Sequence, residues 1–288
     1  LLMDYPVKVL GFGDNVVDLY DHLHLMYPGG NAVNFAVFAK RLGVERSAYM
    51  GIFGTDRAAE HVISSLEKEQ VELVKCLQIP GENGWSRNTV VDGDRVFLDY
   101  NNGGIRGDVR YPLGRFELAY AKQFDLVHTG IYCFTERELP KLQKAGVPVS
   151  FDFSDEYTEE DVKEIAPYVT YAFFSCGEET PQEKVWERLL TTAELGPKIV
   201  CASRGAKGCI AYAGGEFFVQ QAVPVEHMAD TMGAGDALLT AFLVGYLSRK
   251  KKGMEEHAAV KDSLADAAQI ASQVCGIDGA WGYGVHYE

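Results

Sequence analysis

Downstream of Phe124 the sequence alternates strand-like apolar runs with helical periodicity. Asp125–Thr129, Val147–Phe153, Tyr171–Ser175 and Lys198–Ala202 read as strands, and helices are predicted over residues 135–145, 159–167 and 179–193. Strands that are each separated by a helix must lie parallel and be joined by right-handed crossovers. This restricts the chain to an α/β class built on a mostly parallel sheet. Upstream, Val7–Phe12, Ser47–Phe53 and Val71–Ile79 read as further strands. Ala32–Leu42 reads as a helix with Asn31 as its N-cap, and a second helix runs from a cap at Asp56 to about Gln70. Trp85–Val91 and Arg95–Tyr100 flank the turn signal Asp92-Gly93-Asp94, which predicts an antiparallel hairpin outside the main sheet. Ile210–Tyr212 and Glu216–Val219 form a second hairpin around Gly214-Gly215, and helices over 234–249 and about 255–274 end the pattern.

A chain of 288 residues with 47% hydrophobic content suits one large domain, or one with a small appendage. Its net charge of −14 argues against nucleic-acid and anionic-membrane partners. An anionic nucleotide stays admissible, because local N–H groups and a metal outweigh the global field. Six cysteines without a C-x-x-C, several inside apolar runs, read as buried thiols of a reducing cytosol. The seven histidines lack zinc-site spacing, and His22 and His24 read as surface residues. The sequence opens on no charged leader and holds no apolar run of about 18 residues, so a soluble, cytoplasmic protein is expected. Arg249–Lys252 closes a predicted helix and reads as dipole-complementing surface charge.

Four stretches carry chemistry. Asp230-Thr231-Met232-Gly233-Ala234-Gly235-Asp236 places two glycines directly before a helix. Such a turn gathers N–H groups at a helix N-terminus, where they attract an anion. Asp236 is either a first-turn acid or a base beside that anion hole. Pro28-Gly29-Gly30-Asn31-Ala32-Val33-Asn34 opens the helix that follows the first strand. Ser175-Cys176-Gly177-Glu178 follows a strand, and Glu178 and Glu179 also fit the first turn of the next helix. Ser203-Arg204-Gly205-Ala206-Lys207-Gly208 is a glycine-punctuated loop. Gly11-Phe12-Gly13 lacks a third glycine, since position 16 is Val, and a dinucleotide-binding fingerprint is rejected. Asp14 and Asp18 are instead expected at the carboxyl end of the first strand, where α/β sheets hold ligands.

These motifs resemble those of the ribokinase / phosphofructokinase-B family of carbohydrate kinases. The resemblance implies a ribokinase-like three-layer α/β/α fold, one domain over 1–288, with a β lid from about 14–30 and 84–106. It implies that Gly233, Ala234 and Gly235 stabilise the transferring phosphoryl group and that Asp236 is the catalytic base. Gly30, Asn31 and Asn34 would cup the sugar, and Asp18, or second to it Asp14, would bind its hydroxyls. Ser203, Gly205 and Gly208 would meet the nucleotide, and Glu178 would organise Mg²⁺ through water. Ser175 stands where the family commonly has Asn, and Ser203 where it has Thr. The implied cofactors are ATP and Mg²⁺, with a monovalent cation near Asp230 left open. The terminal loop Gly276–Gly282 is expected near the adenine, and a homodimer through the lid is expected.

The likeness narrows in Gly13–Tyr20, Gly29–Asn34, Asp94–Phe97, Phe151–Asp155 and Asp278–Trp281 to the bacterial branch that phosphorylates fructosamines such as fructoselysine at O6. Asp14, Asp18 and Asp99 are candidates for the substrate ammonium. Arg95 is either a candidate for its carboxylate or a surface hairpin charge. Another sugar kinase of this fold, acting on fructose, ribose or a keto-sugar acid, is the alternative. A sugar-binding protein without turnover is the other, resting on Ser175 and Ser203.

Overall fold

The computed structural model describes residues 5–91 and 94–287, with side chains described for all of these but 90, 91 and 94–96. The chain begins with β1 (Tyr5–Gly13), β2 (Val16–Tyr20), β3 (Leu25–Gly29), α1 (Asn31–Leu42), β4 (Val44–Phe53), α2 (Arg57–Lys68) and β5 (Leu77–Gln78). Next come β6 (Gly84–Val91), β7 (Asp94–Tyr100), α3 (Ile105–Asp108), α4 (Arg115–Ala121), β8 (Leu126–Gly130), α5 (Leu139–Lys144) and β9 (Val149–Asp152). They are followed by α6 (Glu159–Ile165), β10 (Tyr171–Ser175), α7 (Gln182–Ala193), β11 (Ile199–Ser203), β12 (Cys209–Ala213) and β13 (Glu216–Gln220). Helices α8 (Ala234–Lys251) and α9 (Glu256–Val274) precede the short β14 (Val285–His286).

The large sheet has the order β13-β12-β11-β10-β9-β8-β1-β4-β5. It is parallel from β5 through β11, and only the β12–β13 hairpin breaks the pattern. Successive side chains on a strand point to opposite faces, and both faces are covered. On β10, Phe173 packs with Phe35, Phe242 and Tyr246 beneath α1, α8 and α9. Its neighbours Ala172 and Phe174 face the other way, among Leu142, Ile165 and Leu189 of α5, α6 and α7. Helix α8 packs against α1, α9 and β1, so Ala237–Tyr246 is buried on every side and the helix is apolar all round.

The second sheet has the order β14-β3-β2-β6-β7 and lies over α1 and α2, with Val17, Met26 and Trp281 in a shared core. Its terminal strand β14 is too short to be visible as a sequence pattern. Three expectations are corrected. Val71–Ile79 is not one strand. It touches β4 at Glu72 and again at Leu77–Gln78, because a turn at Leu73–Cys76 lifts it away between. The helix predicted from 179 starts at Gln182, since Gly177–Thr180 is a turn and Pro181 the N-cap. The helix predicted over 135–145 begins as a 3-10 turn, Glu136–Glu138. The Arg95 side chain and the Asp92-Gly93 turn lie outside the described residues.

Candidate active site

Neighbouring strands β11, β10, β9 and β8 end at Ser203, Ser175, Asp152 and Gly130, and β1 leads into Asp14. Parallel strands bring these ends to one edge of the sheet, the usual ligand edge of an α/β fold. Helix α1 starts above it. Asn31 was expected as the N-cap of α1, but Gly30 (φ 111°) holds that position and offers no side chain. The cap comes from another element. Asp14 accepts Asn31 N at 2.8 Å and Ala32 N at 2.7 Å, so its carboxylate satisfies two orphan amides of the first turn.

Capping by Asp14 frees the Asn31 side chain. Its Nδ2 donates to Asp236 Oδ1 at 2.8 Å and to Asp152 Oδ2 at 3.0 Å. Asn34, one turn further along α1, donates from Nδ2 to Asp236 Oδ2 at 2.6 Å. Trp281 Nε1 donates to Asn34 Oδ1 at 2.8 Å and fixes that amide. Burial pushes the Asp236 carboxyl up to about 7, and nearby Asp152 and Asp14 add to the rise, while the hydrogen bonds from Asn34 and Asn31 oppose it. Asp152 rises to about 6 for the same first reason, opposed by the Ser154 amide and Asn31. His128 is fully buried and pushed down to about 3, so it is neutral.

The turn before α8 is built for its conformation. Gly233 is left-handed (φ 75°), and a Cβ there would meet Ala280 Cβ at 2.7 Å. The first helical bond is Ala237 N to Gly233 O at 2.8 Å, so the amides of Gly235 and Asp236 precede the intrahelical ladder. Ala234 N makes a 3.3 Å bond to Thr231 O. A Cβ on Gly235 would find nothing within 4 Å, so open space stands before this helix start. Asp236 keeps a partly exposed edge toward that space. Asp230 braces the turn from behind, accepting Met232 N at 2.9 Å, Gly279 N at 3.0 Å and the Tyr20 hydroxyl of β2.

Asp18 was grouped with Asp14 at the end of the first strand. It stands instead mid-way along β2 in the small sheet, where Oδ1 accepts from Ser86 Oγ at 2.7 Å. A Cβ on Gly29 would lie 2.5 Å from Asp18 Oδ2 and 3.9 Å from Asn34 Oδ1, so Gly29 leaves Asp18 and Asn34 facing one gap. Asp99 is exposed on β7. The Gly279–Trp281 end of the terminal loop packs against Tyr27, Gly233 and Asn34, with the Trp281 ring buried in the core shared by α1 and the small sheet.

Farther along the edge, Ser175 and Ser203 hydroxyls lie 3.4 Å apart. Glu178 is not in the first turn of α7, which begins four residues later. Its Oε1 accepts Ala206 N at 2.8 Å, and Lys207 Nζ donates to its backbone oxygen. Gly205 (φ 52°) leaves room for that carboxylate. Gly208 sits against Gln220 O, where a Cβ would come within 2.0 Å. Arg204 is buried and donates to Thr180 O at 2.9 Å. Among the described residues no cluster of three His, Cys, Asp or Glu could hold a metal ion.

Residues 4–281 match the pfkB family carbohydrate kinase. The chain belongs to the pfkB family of carbohydrate kinases. It is 40% identical over 282 residues to fructosamine kinase FrlD of Bacillus subtilis, covering 98% of this chain and 95% of that one. It is 32% identical to fructoselysine 6-kinase of Escherichia coli K12 over 271 residues, 93% and 97% of the two chains. Its fold is similar to that of Arabidopsis thaliana ribokinase complexed with ribose and ATP, with a TM-score of 0.73 at 19% identity over 96% and 94% of the chains. The fold is thus ribokinase-like, a three-layer α/β/α body with a separate small sheet as its lid.

For this pfkB chain, the residues that sequence reasoning left without a role are Asp152, His128, Trp281 and Tyr20. Asp152 was read inside a strand running to Phe153, whereas β9 ends at Asp152 and turns its carboxylate to the ligand edge. His128 and Trp281 reach the site through Asn31 and Asn34, from positions 97 and 247 residues distant in sequence. No local spacing could have found them.

Proposed function

We propose that the protein is an ATP-dependent kinase that transfers the γ-phosphoryl group to the 6-hydroxyl of a fructosamine, converting fructoselysine to fructoselysine 6-phosphate. The observation that carries the reading is Asp236, a carboxylate held by two asparagine amides at an open helix start. Asp236 takes the proton from the attacking hydroxyl, and the first-turn amides of α8 stabilise the charge developing on the phosphoryl oxygens. Gly30, Asn34 and Asp18 bind the sugar, and Ser175, Ser203, Gly205 and Gly208 border the nucleotide. Mg²⁺ would neutralise phosphate charge when bound, and Glu178 is the residue that would hold it through water. The carboxylates of Asp14, Asp152 and Asp236 at this edge, with Asp18 of the small sheet near Asn34, suit a substrate carrying an ammonium. The relatives at 40% and 32% identity support this substrate class. No helix among the described residues is long and apolar enough to cross a membrane.

The test is an ADP-release screen across fructosamines and plain sugars, with mass spectrometry locating the added phosphate. Fructoselysine is expected to give the highest kcat/KM and a 6-phosphate. Faster turnover of fructose, ribose or a keto-sugar acid would reassign the substrate. No ADP release with any sugar would favour a binding protein without turnover.

A further inference from the structure

His128 has no exposed surface, and among the described residues its hydrogen-bond partners, Ser150 and Asn31, are uncharged. Its Nδ1 lies 2.8 Å from Ser150 Oγ, its Nε2 lies 2.9 Å from Asn31 Oδ1, and the Phe35 ring covers one face at 4.5 Å. A neutral imidazole carries one proton. With the Ser150 hydroxyl donating to Nδ1, that proton stays on Nε2 and goes to Asn31 Oδ1. Both Nδ2 hydrogens of Asn31 then face carboxylates, one on Asp236 and one on Asp152. The reversed amide would set its oxygen against two carboxylates and its N–H against the Nε2 proton, so the network selects a single orientation. Gly130 makes the approach feasible, since a Cβ there would stand 2.7 Å from Asn31 Oδ1.

We propose that His128 is a positioning residue for the catalytic base: by holding the Asn31 amide it supplies Asp236 and Asp152 with one N–H each and keeps Asp236 ionised and aimed at its substrate. The proposal rests on Asp236 being the base. The ionisable groups facing Asp236 are Asp152 at the end of β9, Asp14 after β1 and, behind Asn31, His128 on β8. Helix α1 contributes only Asn31 and Asn34, and Asp18 on β2 lies beyond Asn34.

The experiment compares His128→Leu, His128→Gln and Asn31→Ala with the parent enzyme and with Asp236→Asn. It measures kcat, KM for ATP and for fructoselysine between about pH 5.5 and 9, and thermal unfolding. In His128→Leu the acid limb of kcat is expected to move up by about one pH unit, with kcat near pH 7 falling ~5-fold and KM for ATP staying within about twofold. The Gln amide can donate to Asn31 and is expected to restore the limb, and Asn31→Ala to reproduce the shift even where the Leu variant unfolds. An acid limb unmoved in both His128→Leu and Asn31→Ala, beside an inactive Asp236→Asn, would overturn this proposal alone. So would a Gln variant that loses kcat equally at every pH together with thermal stability, which marks a packing role. Turnover retained by Asp236→Asn would overturn the base assignment itself.

Discussion

Asp236 occupies a position where burial and two neighbouring carboxylates favour its proton, and where Asn31 and Asn34 oppose them. The balance leaves a base that titrates at about 7. As a base it works only without its proton, so kcat is expected to fall as pH drops through that value, with a slope of one proton in a steady-state profile. Removing the base by Asp236→Asn should lower kcat ~10²- to 10⁴-fold at pH 8 with ATP binding retained, as read by coupled ADP release and calorimetry. The same site acts on stability with a definite sign. The folded pKa lies above the usual carboxylate value, so the folded state binds the extra proton. Stability from this group is therefore full below about pH 4 and declines as pH rises to about 7, above which it is flat. The melting temperature of Asp236→Asn relative to the parent should accordingly climb over that window. A difference independent of pH would show that Asp236 does not titrate as described.

At the scale of elements, α1 and α8 meet at their N-termini above the sheet edge, and each start is fixed from outside its own helix. Gly233 and Asp230 set α8, and Asp14 sets α1. The Gly233–Asp236 turn was legible because its glycines and acid are adjacent in sequence. The cap on α1 was not. Asn31 is a good capping residue by type, and only the fold reveals that Asp14, 17 residues earlier, caps the helix and frees Asn31 to face Asp236 and Asp152. Val71–Ile79 misled for a related reason. Val71, Leu73 and Cys76 pack into the core beside α2 and β4 from a turn, while Val74 and Leu77 are exposed, so the run of apolar residues mimics a strand pattern without a ladder. A concrete consequence concerns Asp14→Ala. Losing a two-amide charged cap should cost ~1–2 kcal/mol in urea unfolding of the sugar-free protein. A purely substrate-binding Asp14 would leave that stability unchanged and raise only KM.

At the scale of the whole molecule, the large sheet was legible from its alternation with helices, whereas the small sheet is assembled from three separate stretches of chain. Only its β6–β7 hairpin carries a local signal. β2 and β3 follow the first strand so closely that Asp18 was also read at that strand's end, although it lies within the 14–30 stretch expected in the lid, and β14 returns from the far end of the chain. The outer strand of this sheet, β7, is an edge with one ladder partner, and it exposes Phe97, Leu98 and Tyr100 at 65%, 51% and 68%. An apolar edge of this kind invites strand addition or burial against another surface. We propose that a second copy covers it, edge to edge across a two-fold axis, because an isologous contact lets one patch satisfy itself. Two copies each carrying −14 repel one another, so the association should tighten as salt rises toward about 0.3 M and its screening shortens. Sedimentation velocity at micromolar concentration is expected to show a dimer that Phe97→Glu converts to a monomer with unchanged unfolding temperature. A parent protein that sediments as a monomer at every salt concentration would sink the idea.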